Sequence, residues 1–138
     1  MPIQLIPRLF TAFNERDEEA LFELADPEIV WDAPTAALAG RDGPYRGLSG
    51  LHDYLEDVDM LWEELRATPI QVRMRGEEIF AVGRLYARGS KLGIRDLPVA
   101  WSLILRDRRF LMGQVHEDPR RAALQAGWLM PAEERRPK

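Results

Sequence analysis

Near the start of the chain the apolar positions Ile3, Ile6, Leu9, Phe10 and Phe13 recur at helical spacing, which predicts a first helix. Pro7 fits only if the regular helix begins close to it, because an interior proline removes a backbone donor. Asp17 is placed to cap a second helix over Glu18, Glu19 and Ala20, with Leu21, Leu24 and Ala25 inward, and Asp26-Pro27 should stop it. Ile29-Val30-Trp31 is a compact β-branched and aromatic run that predicts a short strand from Glu28 to Asp32. A loop should follow from Ala33 to Gly47, carrying Pro34, Gly40, Gly43, Pro44 and Gly47; so long a loop often borders a site.

The strongest helical pattern comes next. Ser49 suits an N-cap, and Leu51, Tyr54, Leu55, Val58, Leu61, Trp62 and Leu65 form one apolar stripe, while Asp53, Glu56, Asp57 and Glu63 read as a solvated acidic face. Pro69 should end that region. Beyond it the period changes to strands at Ile70–Arg75, Ile79–Arg88, Pro98–Arg106 and Phe110–Glu117, joined by short turns that favour an antiparallel meander. Asp118-Pro119 starts, and Gly127 ends, a small last helix.

Helices followed by a run of antiparallel strands give an α+β layer fold: a curved, cone-shaped antiparallel sheet with helices packed on its concave face. The space beneath those helices, between the Leu51–Leu65 segment and the sheet, is the expected pocket. Residues 1–128 make one domain, and 129–138 read as a charged tail.

Composition narrows the function. The chain has 138 residues, 46% of them hydrophobic and 30% charged, the balance of a water-soluble globule. Its net charge of −4, from 23 acidic against 19 basic residues, supplies no field for nucleic acid or an anionic membrane. The basic runs Arg106–Arg109 and Arg135–Lys138 are short and broken, a turn and a solvated tail. No segment reaches the roughly 20 apolar residues of a membrane span, and the N-terminus lacks the apolar core of a signal peptide. With no cysteine the chain has neither a disulfide framework nor a thiol nucleophile, so the cytoplasm is the default location.

Asp32 is the leading candidate for chemistry. It ends the first strand after an apolar run, where a desolvated carboxylate could serve as a general base; the competing reading is an Asx-type turn before Ala33-Pro34. Period-2 alternation puts Gly113, Val115 and Glu117 on one face and Met112, Gln114 and His116 on the other. If Val115 faces the cone, Glu117 reaches the pocket mouth and His116 the opposite side, unless a bulge exchanges them. Ala81, Gly83, Leu85 and Ala87 share a face of their strand, and the small members there should leave room. Phe80, Val82, Arg84, Tyr86 and Arg88 on the other face suit a dimer interface or a solvated surface. Phe13, Trp31, Tyr54, Trp62 and Trp101 join Leu85, Val115 and Glu117 as the expected pocket lining, although each aromatic also suits a plain core position. His52 flanks its helix stripe and is expected to be partly buried without a function. His52 and His116 show no metal-ligand spacing, the glycines fit no phosphate-binding loop, no Ser-His-Asp grouping is apparent, and no cofactor is expected.

Three segments carry a family resemblance: Asn14–Pro34 (NERDEEALFELADPEIVWDAP), Tyr45–Leu65 (YRGLSGLHDYLEDVDMLWEEL), and Val99–Trp128 with its ending HEDPRRAALQAGW. With the strands between them they resemble the SnoaL-like branch of the NTF2-like superfamily over nearly the whole chain. The resemblance implies a homodimer through the open sheet face and a pocket on the concave face. Relatives include ketosteroid isomerases, polyketide cyclases, dehydratases and epoxide hydrolases, so it implies no single activity.

Asp32 matches the proton-shuttling aspartate of the isomerases. Their oxyanion tyrosine would fall near Leu9 and their protonated aspartate near Trp101, and the cyclases' acid/base aspartate matches Val115; none of these three can do that job. Two functions follow. One is binding of a small, mainly apolar molecule in the cone, with cofactor-free isomerisation, cyclisation or hydration through Asp32; the other is a non-catalytic ligand-binding or dimerisation module.

Overall fold

The structure, a computed structural model, describes residues 2–128; the tail expected over 129–138 lies outside the described residues. Helix α1 (Leu5–Asn14) follows a 3-10 turn at Pro2–Gln4 and buries Leu5, Ile6, Phe10, Ala12 and Phe13. Pro7 sits in its first turn, where the missing N–H would have no intrahelical partner. The Asp17 carboxylate accepts the Ala20 N–H and starts α2 (Glu18–Leu24), with Glu18 and Glu19 favourably placed in the first turn. Asn14 binds the edge backbone of the sheet at Ala67 in both directions, at 2.8 Å each way, and so fixes α1 across that edge.

Several boundaries differ from the sequence reading. Strand β1 (Ala25–Asp32) begins three residues before Glu28, directly after α2. Asp26-Pro27 therefore stops the helix without opening a loop; it lies in an irregular stretch of strand, where proline's missing donor is tolerated. The expected loop from Ala33 to Gly47 contains a short helix α3 (Pro34–Leu38), with proline in its first turn, and a two-residue strand β2 (Tyr45–Arg46) paired with β1.

Helix α4 (Gly47–Leu61) starts ahead of Ser49, so Ser49 lies in the first turn and is not its cap. The helix also ends at Leu61. Trp62 is already extended, and Leu65 belongs to β3 (Glu64–Arg75), whose buried Leu65 and Ala67 alternate in strand fashion. The Trp62-to-Leu65 interval matches helical spacing by coincidence. Pro69 does not end anything; it sits within this edge strand beside a bulge.

Asp57 is the largest correction to the helix reading. Instead of facing solvent it is buried, accepting hydrogen bonds from Tyr45 Oη (2.7 Å) and from Arg41 Nε and Nη2. Arg41 holds its carboxyl below the ordinary range. This cluster ties the 33–47 segment to α4. A second buried carboxylate, Asp26, is paired in the same fork-like manner with Arg106 and ties the start of β1 to the chain just ahead of the Asp107-Arg108 turn.

Strands β3, β4 (Glu78–Gly89), β5 (Gly93–Arg106) and β6 (Arg109–His116) form the expected antiparallel meander. The tight turn at Asp107-Arg108 has both residues at positive φ, as a two-residue hairpin requires. β1 then joins β6 in parallel, giving a six-stranded sheet in the order β2-β1-β6-β5-β4-β3. The sheet is curved and unclosed. Helices α1, α2 and α4 share one core with its inner face. The last helix α5 (Pro119–Gln125), capped by Asp118, packs on the other face, where Ala122 and Ala123 meet Phe80 and Ala100 and Trp128 stacks on Phe80. Helices therefore cover part of both faces, beyond the single layer expected.

Candidate functional site

The inner aromatic side chains come from four elements and from the residue just after α4, and they converge because each element offers its apolar stripe or alternate positions to the same space. Phe10 and Phe13 come from α1, Trp31 from β1, Tyr54 from α4 and Trp101 from β5, with Trp62 at the exit of α4. Phe10 meets Trp101 edge-on at 4.7 Å between ring centroids, Phe13 stacks on Tyr54 at 5.8 Å, and Trp31 lies tilted against Tyr54 at 5.7 Å. Between them and the sheet lies a cavity of about 100 Å³, floored by Leu85, Ala87 and Val115. That is below the roughly 150 Å³ of an apolar cavity known to hold benzene, so a ligand of more than one ring must displace side chains.

Leu38 of α3 and Leu97 of β5 are both exposed and lie at the opening. Glu117 and Arg95 flank it, and the Arg95 guanidinium stands 5.7 Å from the Trp62 ring centre. Among the described residues lining the cavity, these two alone are charged, and both are solvent-exposed.

All eight residues expected at the pocket (Phe13, Trp31, Tyr54, Trp62, Leu85, Trp101, Val115 and Glu117) line this cavity. Part of the reasoning about β4 fails, however. Gly83 leaves no open space, because a Cβ there would collide with the Thr68 carbonyl oxygen and with Pro69, where bulged β3 presses close. Ala81 is fully buried in the core. The room comes from Leu85 and Ala87 one and two turns of the pleat further on.

Asp32 is the main correction. It is half-buried but absent from the cavity lining, since alternation along β1 sends Trp31 inward and Asp32 to the outer face. The apolar run before it suggested desolvation; the direction of its side chain was decided by the strand's phase. On that outer face Asp32 acts electrostatically on His116, whose Nε2 lies 2.8 Å from Ser102 Oγ. Burial lowers the His116 pKa, and the Asp32 charge partly opposes this. The grouping was invisible in sequence because its members come from β1, β5 and β6.

Sequence reasoning also missed Thr35, which α3 places at the cavity. The signal available was Pro34 at a helical first turn ahead of Thr35-Ala36-Ala37-Leu38. Thr35 and Trp31 both favour ionisation of the Tyr54 hydroxyl, yet burial dominates and pushes that phenol up to about 12. It is neutral at pH 7. His52 is exposed, not partly buried; it bridges Glu18 and Glu56 on the helix exterior, and the Glu18 carboxylate raises its pKa. Among the described residues no cluster of three His, Cys, Asp or Glu is arranged to hold a metal.

The sequence matches the SnoaL-like domain over residues 6–101. This chain belongs to the SnoaL-like family. Solved structures agree in fold. An NTF2-like protein of unknown function from Burkholderia pseudomallei K96243 superposes with a TM-score of 0.77 at 19% identity, covering 88% of this chain and 94% of its own. TerC, co-crystallised with polyporic acid, gives 0.75 at 21% identity over 91% and 95%. IdmH, a proposed polyketide cyclase from Streptomyces antibioticus, gives 0.70 at 20% identity over 92% and 99%. Among curated proteins none matches. At these identities the likeness of this SnoaL-like chain to the solved structures is one of fold. No helix among the described residues is long and apolar enough to cross a membrane.

Proposed function

We propose that this SnoaL-like protein holds a small, mainly apolar organic molecule in the cavity between α1, α4 and the sheet. The observation that carries the reading is the lining itself: an apolar, largely aromatic interior with its charged groups confined to the opening. Such a site gains affinity from buried apolar area and orientation from a few polar groups. The small-molecule complex of the related TerC fold supports it.

Binding without turnover is the version this geometry favours. The carboxylate expected to move protons, Asp32, belongs to the outer face, and the interior aromatics offer no base. Glu117 at the opening is the remaining carboxylate for cofactor-free isomerisation, cyclisation or hydration, and it would act only on a ligand atom left near solvent. The protein is further proposed to work in the cytoplasm as a homodimer joined through the open sheet face.

Small ring compounds should raise the melting temperature of the wild-type protein; at 100-fold excess over Kd the stabilisation is about 2.7 kcal/mol. Ala87→Leu, which fills the floor of the cavity, should abolish the rise while the variant still melts cooperatively. If no compound stabilises the wild type, or Ala87→Leu responds equally, the cavity is not the binding site. Light scattering should report about twice the 15.9 kDa chain mass, and a monomer at high concentration would remove the dimer proposal.

A further inference from the structure

Among the described residues lining the cavity Arg95 is the one cation, and no carboxylate answers it. It faces inward on β5, where its cross-strand partner is Ala87 of the cavity floor; paired positions of an antiparallel sheet share a face. Its guanidinium stands beside the Trp62 ring. The acidic residues around it are engaged elsewhere. Asp96, the next residue, alternates to the outer face and pairs with Arg84 at 2.9 Å. Glu63 and Glu64 pair with Arg88, and Glu64 also with Arg66. Glu117 continues β6 beyond the Ala100–His116 pair, about four residues of strand, or roughly 13 Å, from Arg95. Among the described residues Arg95 therefore has no ion-pair partner, and its N–H groups are open at the rim of an apolar cavity.

We propose that Arg95 is a carboxylate anchor, so that the preferred ligand is a small aromatic acid whose ring enters the cavity and whose carboxylate stays at the opening beside Arg95 and Trp62. The inference rests on the small-molecule reading above and adds to it the ligand's charged group and its direction. The planar guanidinium fork matches the two oxygens of a carboxylate. At the rim that charge keeps much of its hydration, and the apolar interior takes in only the ring. A phosphate would bring a second charge where no second cation lines the cavity, and an ammonium at this position would meet like charge. Arg95 serves as the anchor in place of Glu117 because the Trp62 ring holds its guanidinium next to the floor at Ala87.

3-Phenylpropanoate, its neutral amide and 3-phenylpropylamine test the assignment, since they share a ring and chain and differ in the charge at the end. Each is titrated by calorimetry into wild type, Arg95→Gln, Arg95→Lys and Lys91→Gln. The wild type should bind the acid more tightly than the amide, and raising the salt from about 0.01 M to about 1 M should narrow the difference. Arg95→Gln should lower the acid-to-amide affinity ratio about two- to fivefold, the range of one solvent-exposed ion pair, with the amide affinity showing that the cavity is intact. Arg95→Lys should retain part of the ratio, because it keeps the charge and loses the fork. Lys91→Gln removes the same charge from the exposed turn before β5 and should leave the ratio as in the wild type. Equal acid and amide affinities in the wild type, an unchanged ratio in Arg95→Gln, an equal drop in Lys91→Gln, or a preference for the amine overturns the anchor and leaves the binding cavity standing. A wild type that binds none of the three overturns both.

Discussion

Gly113→Ala should destabilise the protein by about 1–3 kcal/mol, a loss of roughly 5–10 °C in melting temperature, and should change the tryptophan emission. A Cβ at this position would overlap the Cε3 and Cζ3 atoms of Trp31. The indole cannot retreat freely, because Tyr54 lies against it. Either the strand shifts or Trp31 turns into the cavity, and in the second case ring compounds should lose affinity along with stability. Gly43→Ala is the matched control: it has ordinary backbone geometry and open space around it, so its effect should stay within about 0.5 kcal/mol. A Gly113→Ala protein that melts with the wild type would mean that Trp31 does not rest on β6.

Asp57→Ala should be nearly as damaging, at about 1–3 kcal/mol near pH 7, because it strips Tyr45 of its partner in the core and leaves Arg41 without its carboxylate. Asp57→Asn separates charge from shape through its pH dependence. Pairing lowers the folded-state pKa of Asp57 below its unfolded value near 3.9, so its stabilisation is full above that value and is lost as pH falls through the folded pKa. Wild-type stability should therefore fall steeply below about pH 4, and Asp57→Asn should flatten that limb. The flattening will be partial, since Asp26 is also lowered, by Arg106. Urea melts from pH 2 to 7 check this; an unchanged acid limb would show that Asp57 is not ionised against Arg41 in the folded state.

Much of the fold was legible because it rests on local periodicity. The caps at Asp17 and Asp118 and the four-stranded meander follow from residue types whose preferences act over a few positions. What was hidden depends on distant partners. The pairing of Asp57 with Arg41 and Tyr45 turns a helix-surface residue into a buried one, and no spacing rule marks that exchange. Trp62 and Leu65 extend the helical stripe because an i, i+3 interval suits a helix face, and the extended backbone at Trp62 with the pairing of β3 and β4 is what separates them from α4.

The candidate site divides in the same way. Glu117 at the opening and His116 behind the sheet follow from alternation anchored on Val115. The same rule applied to Trp31 places Asp32 outside; a position at the strand end after an apolar run does not override the phase of the strand.

The parallel contact of β1 with β6 also bears on how the chain reaches this state. The residues it joins, like the Asp26–Arg106 pair beside it, lie about 80 positions apart. Contacts of that separation carry a loop-closure cost before they return any stability, which slows folding relative to a helical bundle of equal length. On the ribosome the helices and β1 emerge first but cannot seat until β6 has been made. The cavity is thus one of the last features of the molecule to exist, and until it forms, the aromatic faces of α1 and α4 stay open to solvent or to chaperones.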